Sequence, residues 1–247
     1  MGTPFFIKKY MPWGIDRRGA GGGGGGGGAY ATVTVANPTG SFIITPGKGG
    51  TSPNNGPTLS GSASIVKQGS TNILVAAGGD TPDYVSRESI HYGGQGGQAS
   101  ACTPTVGAHS GGKGSSAYGL ILGLLTGDSG AGGGAGNSEG DGANGTDSET
   151  NGGAAGTGSM PAGKGASSVT DLTGDHGKVG GSYGGGGSGA SSWASSHNGG
   201  AGAPGVVRVT YTYIGEGVTM NDAETTICSE ATYDVALDIT PIGFTLD

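Results

Sequence analysis

Apolar and polar residues alternate in a few short stretches of this chain, and alternation with a period of two is typical of a β-strand. Residues 30–35 (YATVTV) alternate in this way, and residues 41–45 (SFIIT) form a second stretch rich in β-branched side chains. Between them, the sequence NPTG at 37–40 has residue types that favour turns. The pattern therefore predicts a β-hairpin over residues 29–45.

Strand patterns also occur further along the chain. Residues 62–66 and 72–76 predict a second antiparallel pair around a polar turn, and residues 206–213 (VVRVTYTY) have the strongest strand pattern. Residues 232–239 predict a further strand. No segment has helical periodicity. The apolar residues 120–125 (LILGLL) predict a strand or a buried loop, because the segment is short and contains glycine.

Glycine dominates the sequence between these strands and accounts for 61 of the 247 residues. Such a composition usually indicates disorder, because glycine loses the most backbone entropy on folding. A glycine tract can instead adopt the polyproline II geometry, with three residues per turn. Without side chains, several such helices can pack side by side and satisfy one another's backbone N–H and C=O groups.

We therefore predict a mostly irregular plus β fold, in which a polyglycine-II helix bundle packs with short antiparallel β-hairpins and there is essentially no α-helix. Positions inside the bundle should accept only glycine, with other residues at its periphery or at tract ends. The glycines that we expect to build the bundle are Gly21, Gly24, Gly27, Gly133 and Gly186.

Charge divides the chain into three predicted parts. Residues 1–20 form a basic, aromatic docking segment, residues 21–213 a glycine-rich polyglycine-II/β domain, and residues 214–247 an acidic, β-like segment without Lys or Arg. The two ends are either solvated tails or complementary surfaces of neighbouring subunits. The candidate assembly contacts are Phe5, Phe6, Tyr10, Trp13, Arg17, Arg18, Asp234 and Asp238.

Several functional classes do not fit the composition. The formal net charge is −7 and Lys and Arg do not cluster, so we expect no nucleic-acid partner. No apolar run is long enough for a transmembrane helix, so we expect no membrane insertion. Cys102 and Cys228 match no metal or redox spacing, and we expect two unpaired, partly buried thiols.

Motifs for catalysis and metal binding are weak. Residues 180–184 fit the pattern G-x-S-x-G, but a catalytic triad needs a defined geometry as well as the residue types. Each of the four histidines lies in a glycine-rich loop where we expect no orienting carboxylate: His91, His109, His176 and His197. Four nearby acids are expected to form a solvated loop rather than a calcium site: Glu139, Asp141, Asp147 and Glu149. We expect no enzymatic activity, no catalytic residues, no cofactor and no metal.

The order of glycine tracts and strands resembles a known family. The segments that carry this resemblance are GAGGGGGGGGAYATVTV (19–35), SFIITPGKGGTS (41–52), ASIVKQGSTNILVAAGGD (63–80) and GGAGAPGVVRVTYTY (199–213). Together they are similar to the glycine-rich domains of bacteriophage tail fibres and minor tail proteins, including polyglycine-II bundle adhesins. The resemblance covers residues 19–213 and implies a bundle whose connecting loops contact a host receptor. The head and the tail beyond Gly215 depart from it.

These observations lead to two functional hypotheses. The first is a non-enzymatic tail-fibre or tail-tip protein of a virion that binds a host-surface glycan or outer-membrane protein. The alternative is an extracellular filament or surface-layer subunit joined to further copies by strand addition through its ends. Both place the protein in a virion or outside the cell, among copies of itself or neighbouring virion or filament proteins. Aromatic residues that either cap the bundle edge or contact a receptor are Tyr92, Tyr118, Tyr183 and Trp193.

Overall fold

The structure is a computed structural model that describes most of the chain. The described residues are 23–36, 41–52, 58–82, 90–118, 129–146, 152–169, 175–191 and 197–211, with strand residues 214–215, 218–219, 223–227 and 233–236. The predicted segment 1–20, Gly21 and the apolar residues 120–125 lie outside these ranges.

The described residues form ten short β-strands and one turn of 3₁₀ helix, Ala99–Ala101, and contain no α-helix. None of their elements is a helix of the length and apolarity needed to cross a membrane. The strands in chain order are β1 Ser41–Thr45, β2 Ser64–Gln68, β3 Thr71–Ala76, β4 Ile90–His91, β5 Ala117–Tyr118, β6 Val207–Tyr211, β7 Ile214–Gly215, β8 Val218–Thr219, β9 Ala223–Ile227 and β10 Tyr233–Ala236. The predicted combination of irregular structure and β-strands is therefore confirmed.

The largest sheet is antiparallel and has the strand order β10-β1-β2-β3. The β2–β3 hairpin confirms the strand pair predicted for residues 62–76. Its turn contains Gly69 with φ 60, a left-handed conformation that glycine adopts without a steric penalty. The predicted strands at 206–213 and 232–239 correspond to β6 and β10, which pair with β9 and β1 respectively.

The hairpin predicted for residues 29–45 is wrong. Residues 31–35 form no strand, and Tyr30 makes only an isolated bridge to His109. Strand β1 is not available to residues 30–35, because β2 occupies one of its edges and β10 the other. The alternation in this segment still has a structural use, since Val35 packs against the hydrophobic core.

Tracts of glycine-rich sequence lie side by side and bond through their backbones, as the polyglycine-II prediction requires. In tract 23–29, Gly24 and Gly27 donate to Ser115 and Gly112 of one neighbouring tract. The next residues, Gly25 and Gly28, donate to tract 184–190, and Gly26 and Ala29 donate to tract 77–81. The direction of the N–H groups thus repeats every three residues, which is the repeat of a polyproline II helix.

Tract 130–136 is the most enclosed part of the bundle, and every residue in it is buried. Its N–H and C=O groups form backbone–backbone hydrogen bonds of 2.8–2.9 Å with six neighbours. These neighbours are tracts 23–29, 110–116, 141–146, 152–156, 163–168 and 184–190. Donors and acceptors alternate around the tract, so hydrogen bonds rather than apolar side chains hold its position, at about 1 kcal/mol net each.

Two alanines correct the expectation that the bundle interior accepts only glycine. Ala131 and Ala135 lie within tract 130–136, where 0% and 5% of their surface is exposed. The Ala135 methyl group lies beside Gly184, where φ is +76 and the neighbouring tract starts from a turn. A methyl group therefore fits where a neighbouring tract bends away.

The hydrophobic core is small and lies at one end of the bundle. It consists of Phe42, Ile44, Val66 and Val207, which come from β1, β2 and β6. Each of these strands directly continues a glycine-rich tract, so the core forms where the tracts change into strands.

Candidate binding face

One side of the bundle is built from three adjacent tracts: 92–98, 110–116 and 141–146. Gly111 and Gly114 donate backbone hydrogen bonds to Gly97 and Gly94 at 2.9 Å. On the other side of the middle tract, Gly142 and Gly145 donate to the carbonyls of residues 110 and 113 at 2.8 Å. The three tracts therefore form a continuous surface, which we call the ladder face.

Side chains on the ladder face follow the three-residue repeat. Tyr92, Gln95 and Gln98 are exposed, whereas the pairs of glycines between them are buried. A polyproline II helix has three residues per turn, so these three side chains lie in one row spaced about 9 Å apart. The sequence signal that could have predicted this row, and that we missed, is the repeat Y-G-G-Q-G-G-Q at 92–98.

The other two tracts add polar groups in register with this row. The N–H of Ser110 donates to Oδ1 of Asp141, and the N–H of Lys113 donates to Oδ1 of Asn144, both at 2.7 Å. Asp141 and Asn144 thus use side-chain oxygens where an inner tract would use carbonyls. The carboxylate of Asp141 consequently has a structural role in the bundle.

His109 lies next to this carboxylate, contrary to our expectation that no histidine has one. Its Nδ1 atom is 3.4 Å from Oδ1 of Asp141, and the His109 and Asp141 side chains are 29% and 67% exposed. The Tyr30 ring centroid is 6.3 Å from that of His109. The described residues nevertheless contain no group of three His, Cys, Asp or Glu side chains that could hold a metal ion.

Two histidines, His176 and His197, lie against each other at the end of the bundle where Gly23 is found. The rings of His176 and His197 meet edge to face with centroids 4.8 Å apart. The N–H of Asn198 donates to Nδ1 of His176 at 3.0 Å. This bond fixes the orientation of the His176 ring and involves its Nδ1 atom, not Nε2.

The structure places four of the five glycines singled out from the sequence inside the bundle. A Cβ atom on Gly24, Gly27, Gly133 or Gly186 would overlap the backbone carbonyl of an adjacent tract. The oxygens concerned belong to Ala131, Gly134, Gly112 and Gly25, in that order.

The candidate aromatic and assembly residues are spread over different parts of the molecule. Tyr92 is 49% exposed on the ladder face. Tyr183 is half-buried, and its carbonyl accepts the N–H of Gly163 at 2.7 Å. Tyr118 lies opposite Ile90 in the β4–β5 pair. Asp234 is paired with Ile43 in the β10–β1 ladder.

The remaining candidates lie outside the described residues: Phe5, Phe6, Tyr10, Trp13, Arg17, Arg18, Trp193 and Asp238. Cys102 is a free, buried cysteine, and Cys228 is also outside the described residues.

The connections between tracts leave the bundle at two opposite ends. Described turns, including those at 137–140 and 181–184, join tracts at the end where Tyr30 lies. Near the opposite end, Gly24 donates a hydrogen bond to Ser115 and Gly199 donates one to Ser52, so the tracts that contain these residues meet there. Described tracts also end there on both sides of six segments that lie outside the described residues: 53–57, 83–89, 119–128, 147–151, 170–174 and 192–196.

Comparison with known proteins supports the classification of this fold. A family model described as a glycine-rich domain matches residues 14–212. Searches of curated proteins and of solved structures find no match. The matched region covers most of the chain and contains all of the glycine-rich tracts described above. We conclude that this chain belongs to the glycine-rich domain family.

Proposed function

We propose that this protein is a non-enzymatic adhesion component, of the kind found at phage tail fibres and tail tips, that recognises a host surface. The observation that carries the proposal is the arrangement of its connections. Six segments outside the described residues are each flanked by tracts that end at the same end of a bundle held by backbone hydrogen bonds. A rigid scaffold with variable loops at one end is a common arrangement for binding proteins.

The composition of these six segments supports a recognition role. They include Tyr84, Arg87 and Trp193, whereas the tracts that they connect are built mainly from glycine, alanine and serine. Tyrosine and tryptophan offer a large contact area at a low cost in conformational entropy. In the sequence, these large residues thus lie outside the closely packed tracts.

The ladder face offers a second contribution to binding. Its exposed Tyr92 ring lies in one row with the amide groups of Gln95 and Gln98. An aromatic ring can stack on a sugar ring while neighbouring amides exchange hydrogen bonds with its hydroxyl groups. A glycan on the host surface therefore suits this face better than an apolar ligand.

Binding of the full chain to a glycan array and to a panel of bacterial cells tests the proposal. We expect Trp193→Ala and Tyr92→Ala each to lower binding by tenfold or more without changing thermal stability. Val106→Ala is the matched control, because Val106 is 84% exposed but lies in the turn region at the opposite end. Binding that persists in both aromatic variants, or an equal loss in the control, would contradict an adhesive role for this end.

A filament subunit is the second candidate, and one observation favours it. Strand β10, near the end of the chain, adds to the edge of β1 and extends the main sheet. The same edge of a neighbouring subunit could receive this strand instead. Electron microscopy of the purified chain distinguishes the two candidates, because a filament subunit gives continuous polymers and an adhesion tip gives discrete particles. Deletion of residues 228–247, which removes β10, should convert such polymers into monomers.

A further inference from the structure

Besides the six tracts that surround tract 130–136, a second ring of six tracts closes around an axis. The described residues place no tract on this axis. Each tract of the ring is hydrogen bonded to the next, and the ring closes on itself. Its members in order are tracts 23–29, 77–81, 58–62, 47–52, 199–205 and 184–190. One bond from each contact, given as donor to acceptor, is Gly26 to Asp80, Gly61 to Gly79, Ser62 to Lys48, Gly202 to Gly50, Gly200 to Ser188 and Gly25 to Gly187.

Four glycines, Gly25, Gly28, Gly61 and Gly202, face the axis from three alternate tracts of this ring. A Cβ atom on Gly25, Gly61 or Gly202 would lie at or near van der Waals distance from both flanking tracts of the ring, a position available only on the inner side. The nearest atoms are at 3.6 Å (Gly187 O) and 3.8 Å (Asp80 O) for Gly25, 3.3 Å (Gly79 O) and 3.5 Å (Lys48 O) for Gly61, and 3.3 Å (Gly50 N) and 3.7 Å (Gly185 O) for Gly202.

Backbone N–H groups also point towards the axis. In tract 184–190, one set of N–H groups donates to tract 130–136 and a second set donates to residues 178–181. Gly187 belongs to the third set, in which Gly184, at the turn, donates to Pro204 of the neighbouring ring tract. Gly50 and Gly79 occupy the equivalent places in their tracts, with their nitrogens 3.3 Å and 3.5 Å from the Cβ positions of Gly202 and Gly61. None of these three N–H groups donates a hydrogen bond to another described residue.

Carbonyl groups from the remaining three tracts complete the lining. The carbonyls of Gly24 and Gly25 accept hydrogen bonds from tracts 92–98 and 130–136, so the carbonyl of Gly26 is the one that points towards the axis. The carbonyls of Ser62 and Gly200 have the same relation to the ring, each lying against the Cα atom of the next tract. These three carbonyls accept no hydrogen bond from another described residue.

The solvent exposure of tract 23–29 agrees with this geometry, whereas Gly187 across the ring is buried. Gly25, Gly26 and Gly28 are only half-buried, although their tract has five bonded neighbours. All residues of tract 130–136, which has six neighbours, are buried. The axis starts below the hydrophobic core, because β1, β2, β3 and β6 continue four of the six ring tracts. It runs from there towards the end where Gly23 lies.

We propose that this axis binds a glycine-rich segment of a partner protein, inserted as a seventh tract in the polyglycine-II conformation. The three N–H and three C=O groups alternate around the ring, as they do around tract 130–136, and so match an extended backbone. Only residues without a large side chain fit among six such neighbours. Outside the described residues this chain has no adjacent glycines except Gly21-Gly22, which lead into tract 23–29, so a second copy has no spare segment to donate.

Titration of the full chain with an octaglycine peptide, made soluble by two lysines at each end, tests the proposal. We expect binding, with changes in the NMR signals of the amides of Gly50, Gly79 and Gly187 and slower hydrogen exchange at these groups. The matched peptide with valine at its fourth and seventh positions should not bind. Gly25→Ala places a methyl group on the axis, so it should keep the melting temperature and weaken binding by at least about tenfold, or 1.4 kcal/mol.

Four results would overturn the proposal. The first is no binding at millimolar peptide, and the second is equal binding of the valine peptide. The third is a loss of stability in Gly25→Ala as large as in Gly24→Ala, which would mean that this chain already occupies the axis. The fourth is self-association of the wild type that Gly25→Ala abolishes, which would assign the axis to a second copy.

Discussion

The amide of Gly133 donates to the carbonyl oxygen of Gly25 at 2.9 Å, and this bond joins tract 130–136, which has six bonded neighbours, to tract 23–29, which has five. Bonds of this kind recur every three residues along the inner tracts. They explain how tracts of glycine can be ordered although the buried apolar cluster of the described residues is small and consists of Phe42, Ile44, Val66 and Val207. Close packing of backbones takes the place of a large apolar interior.

The small apolar cluster should still contribute measurably to stability. Ile44 is 1% exposed and lies in β1 between its two partner strands. We expect Ile44→Ala to lower the free energy of unfolding by about 2–5 kcal/mol, because it removes buried surface and leaves a cavity. Chemical denaturation measures this, with Val106→Ala as the exposed control. Equal effects of the two substitutions would mean that the cluster contributes no more than a surface residue.

Buried serines extend the hydrogen-bond lattice at places where no carbonyl is available. The hydroxyl oxygen of Ser115 accepts the N–H of Ala131 at 2.7 Å, and Ser115 is 3% exposed. Ser115→Ala should lower the free energy of unfolding by about 1–3 kcal/mol, because a buried N–H loses its acceptor. Ser100→Ala, at an exposed position in the 3₁₀ turn, is the control. The explanation fails if denaturation curves of the two variants coincide.

Asp141 is predicted to act as a hydrogen-bond acceptor more than as a charge. Asp141→Asn keeps an oxygen for the N–H of Ser110, whereas Asp141→Ala removes it. We expect the asparagine variant to match the wild type and the alanine variant to lose about 0.5–1 kcal/mol. The contact with His109, which is an ion pair only when the imidazole is protonated, is partly exposed to solvent and should add little. If the asparagine variant is the less stable of the two in thermal unfolding, the ion pair carries the contribution.

Local sequence patterns were enough to predict some elements of the fold. The β2–β3 hairpin follows from alternation on both sides of a turn, and its register is set by contacts between residues close in sequence. The failure at residues 30–35 has a long-range cause. Strand β10, about two hundred residues away, takes the edge of β1 that a local hairpin would have used.

The bundle could be predicted in kind but not in arrangement. Glycine tracts have no side chains to distinguish one neighbour from another, so the sequence did not indicate that 130–136, rather than 21–28, would be the most enclosed tract. Ala131 and Ala135 were the available clue to small open spaces within it. The ladder face was readable from the spacing of Tyr92, Gln95 and Gln98, because a repeat of three places non-glycine residues on one side.

Thermal unfolding of single alanine variants along residues 23–28 tests the polyglycine-II lattice most directly. A methyl group at Gly23, Gly24, Gly26 or Gly27 would overlap a backbone carbonyl, whereas at Gly25 or Gly28 its nearest neighbour is 3.6 Å away. We predict that the first four variants lose about 1–3 kcal/mol or more and that Gly25→Ala and Gly28→Ala keep the wild-type melting temperature. A uniform effect across all six positions, or an unchanged melting temperature in Gly24→Ala, would contradict the lattice.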